Sequence, residues 1–328
     1  MKKTIFATAA LAIASAPALA QSNVSIYGLL DEAIVVAKGG AGGTATKLES
    51  GVSNGSRIGF RGTEDLGNAL SSLFVLEAGI LMDTGASDQN GTLFGRQAYV
   101  GLKGNFGTVT AGRQYTPIYN TITIVDPFSN NYGGAAGQLM SGEKAGTRMN
   151  NTVMWATPKV MGFSGQAAYA FGEVPGDSAK SRQFGYSLTY EAGKLLLRGA
   201  FNRTTNATAT DSARNTLVIA KYDFGVFTGS VGVGDNKGTG KTDSQDYILG
   251  LSVPLGGPHT ILANAIHKKD RAATTDFNAN QVAVVYTYAL SKRTNWYVGA
   301  AKLSNTRFAT TKFGSGNTEY DLGIKLTF

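Results

Sequence analysis

The sequence predicts an all-β protein: a 16-stranded antiparallel transmembrane β-barrel with an inward-folded constriction loop. Three observations carry that expectation. Segments of strict period-two alternation recur along the chain, each with an apolar, aromatic-ended face and a small, polar or charged face. The chain has no cysteine, 43 glycines and, past residue 20, no run of 18 consecutive apolar residues, which disfavours both a membrane helix and an all-helical fold. One stretch, 115–150, abandons the alternation for a long polar, Gly-rich segment punctuated by Asp126-Pro127 and Gly133-Gly134.

The chain opens MKKTIFATAALAIASAPALA. Lys2 and Lys3 form a basic start, Ile5 to Ala16 are mostly apolar, and Ala18-Leu19-Ala20 has the small-x-small form. Residues 1–20 are therefore expected to be a secretory signal peptide, and 21–328 the barrel domain. Cleavage removes two lysines and no acid, so the formal charge falls from +8 to +6 over 308 residues. The basic residues are dispersed, which gives nucleic acid no clustered face. With no cysteine and two histidines, neither a disulfide framework nor a multi-histidine metal site is supported, and no cofactor is expected.

The closing strand shows the pattern most plainly. Tyr320, Leu322, Ile324, Leu326 and Phe328 share one face, and Glu319, Asp321, Gly323, Lys325 and Thr327 the other. Similar faces recur at 281–290, 184–191, 163–171 and 74–82, the last with Glu77 opposite its apolar row. A soluble barrel would fill its interior with bulky apolar side chains. Here the second face is Gly, Ser, Thr, Gln and charge, so the apolar face must meet lipid and the polar face water.

About sixteen such segments can be counted, with cores near 22–37, 56–65, 71–83, 93–103, 108–120, 151–159, 163–173, 182–192, 194–204, 213–224, 226–235, 243–255, 259–270, 278–290, 293–304 and 318–328. Connections alternate short and long, with 38–55 among the long ones. A barrel of about sixteen strands encloses an aqueous channel. The 115–150 segment is expected to fold into its mouth and narrow it, since long irregular segments in compact domains usually serve function.

Several motifs then resemble a known family. Asn23–Asp31 (NVSIYGLLD) is similar to the first strand of the trimeric Gram-negative general porins, most closely those of β-proteobacteria. Ser56–Gly67 (SRIGFRGTEDLG), Gly95–Leu102 (GRQAYVGL) and Gly112–Tyr115 (GRQY) resemble later strands of that family, and the terminal Phe328 resembles the residue its barrel-assembly machinery reads. The resemblance implies a homotrimer in the Gram-negative outer membrane, in contact with lipid and lipopolysaccharide. It implies passive diffusion of ions and small hydrophilic solutes, without enzymatic activity.

It also implies a constriction in which the third external loop sets acids opposite a row of wall arginines. The matching wall positions are Arg57, Arg96 and Arg148. Arg61 shares a face with Arg57, and Arg113 is a further candidate. The loop acids are Asp126 and Glu143. Alternation independently supports Arg57 and Arg61, because Ile58 and Phe60 are apolar. The positive row outnumbers the acids, so a mild anion preference is expected. Two departures stand out. Leu29 occupies a position where the family often carries lysine, and Glu32 falls on the apolar parity of the first strand, consistent with a bulge, a subunit contact or the membrane exit.

Other motifs fail. Gly238-Thr239-Gly240-Lys241-Thr242 ends like a phosphate-binding loop, but the required upstream glycine is Asp235. His259 and His267 have no serine at a spacing that suggests a hydrolytic pair. The remaining alternatives are a solute-specific channel on the same barrel, for example for an anionic nutrient, and a surface recognition protein using the barrel as an anchor.

Overall fold

A computed structural model describes residues 23–40, 43–140, 146–238, 243–272, 278–304 and 317–328. The expected signal peptide, 1–20, lies outside these residues. In chain order the strands are β1 (Asn23–Gly40), β2 (Gly43–Ser50), β3 (Arg57–Gly67), β4 (Leu70–Gly79), β5 (Gln97–Gly104) and β6 (Gly107–Tyr115). A helix, α1 (Pro117–Val125), follows. Then come β7 (Arg148–Ala156), β8 (Phe163–Ala170), β9 (Gln183–Ala192), β10 (Leu195–Thr205), β11 (Ser212–Asp223) and β12 (Thr228–Lys237). The chain finishes with β13 (Asp243–Gly256), β14 (His259–Asp270), β15 (Ala279–Ala289), β16 (Thr294–Leu303) and β17 (Thr318–Thr327).

These 17 strands form one sheet in which neighbours from β3 onward pair antiparallel, and β17 returns to β1. The lower part of β1 pairs with β3 (Asn23↔Thr63 to Leu29↔Arg57), and its upper part pairs with β2 (Glu32↔Ser50 to Gly40↔Gly43). β2 and β3 are thus two halves of one stave interrupted at 51–56, and the closed barrel has sixteen staves. The short turns, Asn23 and Phe328 share one end. Phe328 is held there by backbone hydrogen bonds in both directions with Gly28, 3.0 and 3.1 Å long. A Cβ on Gly28 would stand 2.2 Å from the Phe328 ring, so glycine is required where the terminal aromatic closes the seam.

Two expected boundaries change. The segment 38–55 is largely paired, because β1 runs on to Gly40 and β2 folds back along it. The strand expected over 108–120 stops at Tyr115 and gives way to α1. The run Thr121-Ile122-Thr123-Ile124-Val125 is β-branched, a composition that favours strands and gives little intrinsic helix propensity. Local signals nevertheless start and stop a helix. Thr116 Oγ1 accepts the Tyr119 N–H at 3.1 Å, Pro117 occupies the first turn, and Asp126-Pro127 ends it. Ile118, Ile122 and Val125 then fall on one buried face.

The outer wall is apolar and open: Leu322, Ile324, Val282 and Leu249 are each half exposed or more. At the short-turn rim, His259 Nδ1 lies 2.6 Å from the Tyr286 hydroxyl within a cluster that includes Tyr288 and Trp296. This places His259 in an aromatic girdle.

The inner wall departs from a uniformly polar lining. On β11–β15 it carries Leu217, Ile219, Ile248, Ile266 and Val285, all buried. Against this patch pack Ile118, Ile122, Val125, Phe128 and Leu139 of the segment between β6 and β7. That segment therefore lies inside the barrel. Each fully buried Ile, Leu or Phe contributes roughly 1.5–3 kcal/mol, and this packing holds a helix whose own propensity is poor.

Candidate functional site

The inward loop crosses the lumen and is fastened along its length. Ser230 Oγ donates to the Val125 carbonyl at 2.5 Å, and Lys268 Nζ to the Leu139 carbonyl at 2.9 Å. Gln281 Nε2 and Asn264 Nδ2 both donate to the Gly134 carbonyl, at 2.6 and 2.8 Å. The Tyr132 N–H reaches the Val52 carbonyl at 2.6 Å, and Ser53 Oγ donates to the Tyr132 hydroxyl at 3.0 Å. Gly134 permits the close approach: a Cβ there would lie 2.2 Å from that of Ala283.

Asp126 belongs to these fastenings and does not face the channel, which corrects the expectation for it. Its side chain is buried. Oδ1 accepts from the Phe128 N–H (3.1 Å) and Asn264 Nδ2 (3.0 Å), while Oδ2 accepts from the Asn130 (3.1 Å) and Ala136 (2.9 Å) N–H groups. Burial pushes the carboxyl up to about 6, and the four donated hydrogen bonds oppose that rise. Glu143 lies outside the described residues.

Opposite the loop, three of the expected arginines converge. Arg96 Nε donates to Glu77 Oε1 at 2.8 Å, and Arg57 Nη1 stands 3.9 Å from the same oxygen. Arg96 Nη2 and Arg148 Nη2 donate to the Tyr115 hydroxyl at 2.9 and 3.2 Å, and the Arg148 guanidinium sits 4.7 Å over the Tyr115 ring. Tyr115 in turn stacks on Tyr119 of α1, with ring centroids 5.0 Å apart. The arginine corner is thereby tied to the start of the inward loop.

The other two arginines lie elsewhere. Arg61 stands four residues nearer the short-turn end than Arg57, with Nε donating to Ser25 Oγ at 3.2 Å and the guanidinium 5.1 Å over Tyr27. Arg113 pairs with Ala98, on the strand face it shares with Val109 and Ala111, beside a bulge between Gly112 and Gln114. That face points out of the barrel. The guanidinium braces the chain through the Gly95 carbonyl (2.7 Å) and the Asn150 side chain. The expected pore-lining role of Arg113 does not fit this geometry.

Sequence reasoning missed the groups that position the corner. Glu77 is its counter-charge and also accepts from the Tyr27 hydroxyl at 3.0 Å. Asp31 is buried, accepting from the Tyr297 hydroxyl (2.7 Å) and the Asn54 N–H (2.8 Å), and the Asn54 side-chain oxygen receives Arg57 Nη2. Lys325 stands next to Asp31 across the seam and interacts electrostatically with Asp31 and Arg57. A usable signal existed. Glu77, Asp31 and Lys325 each interrupt an apolar neighbourhood on the wet parity of their strands. Among the described residues, no group of three His, Cys, Asp or Glu side chains is placed to hold a metal.

A closed barrel with lipid-facing apolar side chains outside, and a charged, loop-narrowed lumen inside, defines a membrane channel. Comparison with known proteins identifies the kind. The Gram-negative porin family matches residues 7–307. Outer membrane porin protein 32 of Delftia acidovorans is 36% identical over an alignment 362 positions long, with 100% of both chains covered. An outer membrane porin protein of Bordetella pertussis is 30% identical, again with 100% of both covered. The solved anion-selective porin from Comamonas acidovorans superposes with a TM-score of 0.82 at 29% identity, covering 94% of this chain and 100% of that one. OmpF of Salmonella typhi, at 16% identity and a TM-score of 0.74, shares the fold, with 93% and 97% covered. The chain belongs to the Gram-negative porin family. It is an outer-membrane channel, not an enzyme.

Proposed function

We propose that the protein is a homotrimeric, mildly anion-selective diffusion channel for ions and small hydrophilic solutes, with Arg57, Arg96 and Arg148 forming its positive constriction wall. The supporting observation is the charge balance at the corner. Two guanidinium groups, Arg57 and Arg96, share the carboxylate of Glu77, and Arg148 joins Arg96 at the Tyr115 hydroxyl, while Asp126 is withdrawn from water. Lys325 adds positive charge two residues along the lumen wall from the Thr327 that pairs with Leu29, which offsets the lysine that Leu29 replaces. Glu143 is the loop acid proposed to face this row. A positive ring in narrow water favours anion entry without a specific binding step.

The anion selectivity of the Comamonas acidovorans porin supports the sign, and the trimer form of OmpT of Vibrio cholerae supports the assembly. Recognition of Phe328 by the barrel-assembly machinery and contact with lipopolysaccharide belong to the same proposal. The test is the zero-current potential of purified protein in a planar bilayer under a salt gradient. An anion-sided potential, with conductance arriving in steps of three, is expected. Arg57→Ala and Arg96→Ala should each move it toward cations. A cation-selective wild type would refute the charge assignment, and folded protein without conductance would favour a recognition barrel.

A further inference from the structure

Arg57 and Arg96 share the carboxylate of Glu77, but another lumen arginine is differently placed. Arg198, fourth residue of β10, donates from Nε to Thr121 Oγ1 of α1 at 2.8 Å and from Nη1 to Thr189 Oγ1 at 3.2 Å. Its Nη2 donates to Gln166 Oε1 at 3.0 Å and Ser187 Oγ at 2.9 Å. All four acceptors are neutral. The acid that bears on it electrostatically is Glu191, which is itself paired with Lys159. Hydroxyl and amide acceptors satisfy the geometry of a guanidinium and leave its charge uncancelled.

Its position connects that charge to the solute path. Gln166 also lines a recess of about 260 Å³ between α1 and the wall of β5–β8, together with Gln97, Tyr99, Gln114, Tyr115 and Asn120. Among the described residues, no carboxylate lines this recess. On one side stands Tyr115, carrying Arg96 and Arg148; on the other, Gln166 carries Arg198. Arg198 lies close to the short turn that opens β10, so a solute leaving the corner toward the short-turn end meets its field next. One side chain separates it from the recess, within the roughly 8 Å over which charge acts at physiological salt.

We propose that Arg198 is a second anion-selecting residue, a cationic station on the short-turn side of the inward loop. This rests on the anion-selective reading above. Ordering of α1 alone does not require an arginine at this position, because a neutral donor would serve Thr121 equally well.

The test compares zero-current potentials in a chloride gradient for wild type, Arg198→Gln, Arg198→Lys and Thr121→Val. Arg198→Gln should lower the anion-to-cation permeability ratio about two-fold, and Arg198→Lys should restore most of it. Thr121→Val removes the hydrogen bond to α1 without changing charge and should leave the ratio unaltered. An anion-selective wild type whose ratio survives Arg198→Gln would overturn the proposal. So would Thr121→Val reproducing the loss, which would show that Arg198 acts by holding the loop. A wild type without anion preference would overturn the parent reading, and that outcome is visible before any substitution is made.

Discussion

Two lumen carboxylates on opposite walls have opposite company. Glu77, on the β3–β7 side, meets two guanidinium groups and the Tyr27 hydroxyl. Asp126, on the β11–β15 side, meets three backbone N–H groups and the amide of Asn264, with no cation among its described hydrogen-bond partners. The first arrangement keeps an excess of positive charge near water. The second satisfies a charge completely so that the segment carrying it can be packed against an apolar wall. Carboxylates in one lumen therefore set a field in one place and hold a loop in the other. Both carboxylates are buried, so the company each keeps, guanidinium groups or backbone and amide donors, makes the difference.

The largest expected effect lies in the loop seat. Phe128→Ala should cost about 3–5 kcal/mol of the loop's packing. A wider, noisier single-channel conductance, with a lower thermal unfolding midpoint in detergent, would show this. The same substitution leaving conductance unchanged would mean that the hydrogen bonds alone hold the loop.

Next is the pH dependence of the seat. Asp126 titrates at about 6 in the folded protein against 3.8 when exposed, so between these values the native state holds a proton that the unfolded chain has lost. Stability should be greatest below about pH 4 and fall as pH rises through 6, by about 3 kcal/mol. Asp126→Asn should flatten this window. Denaturant midpoints of both proteins from pH 4 to 7 provide the check, and parallel curves would count against a buried, titrating Asp126.

At the corner, Glu77→Gln should preserve the hydrogen bonds to Arg96 and Tyr27 in part while removing the counter-charge. The zero-current potential should move further to the anion side, opposite to Arg57→Ala, at a stability cost of about 1–3 kcal/mol. A shift toward cations would show that Glu77 positions the arginines more than it offsets them. The smallest effect belongs to Tyr115→Phe. Loss of the hydroxyl shared by Arg96 and Arg148 should cost about 1 kcal/mol and leave conductance within experimental scatter, because ring stacking on Tyr119 persists.

Alternation alone determined much of this molecule. A face of Leu322, Ile324 and Leu326 backed by Asp321, Gly323 and Lys325 can satisfy both sides only between lipid and water, and repetition of that pattern leads to a closed barrel of sixteen staves. Arg57 was placed on the wet face by its apolar neighbours. Arg96 and Arg148 came through the family resemblance, since neither lies inside a clean alternating run. The loop was visible as a break in pattern, but not its helix, whose β-branched run reads locally as strand. Its seat left a fainter trace: Leu217-Val218-Ile219 and Tyr247-Ile248-Leu249 are apolar on both parities, as strands dry on both faces must be.

What only the tertiary structure decided was pairing across the lumen. Asp126 looks like a pore acid in sequence because it is one of two carboxylates on a long polar, Gly-rich segment. Its donors come from Asn264, 138 residues away, and from a turn that exists only once the loop is seated. Arg113 stands opposite an extra residue of β7, where Thr152 to Met149 takes three steps while Gly112 to Gln114 takes two, a bulge that local alternation does not reveal. Period-two patterning is a local property and survives in the sequence. The partner of a charge is set by closure of the barrel, which joins residues hundreds of positions apart, and nothing in the local pattern encodes it.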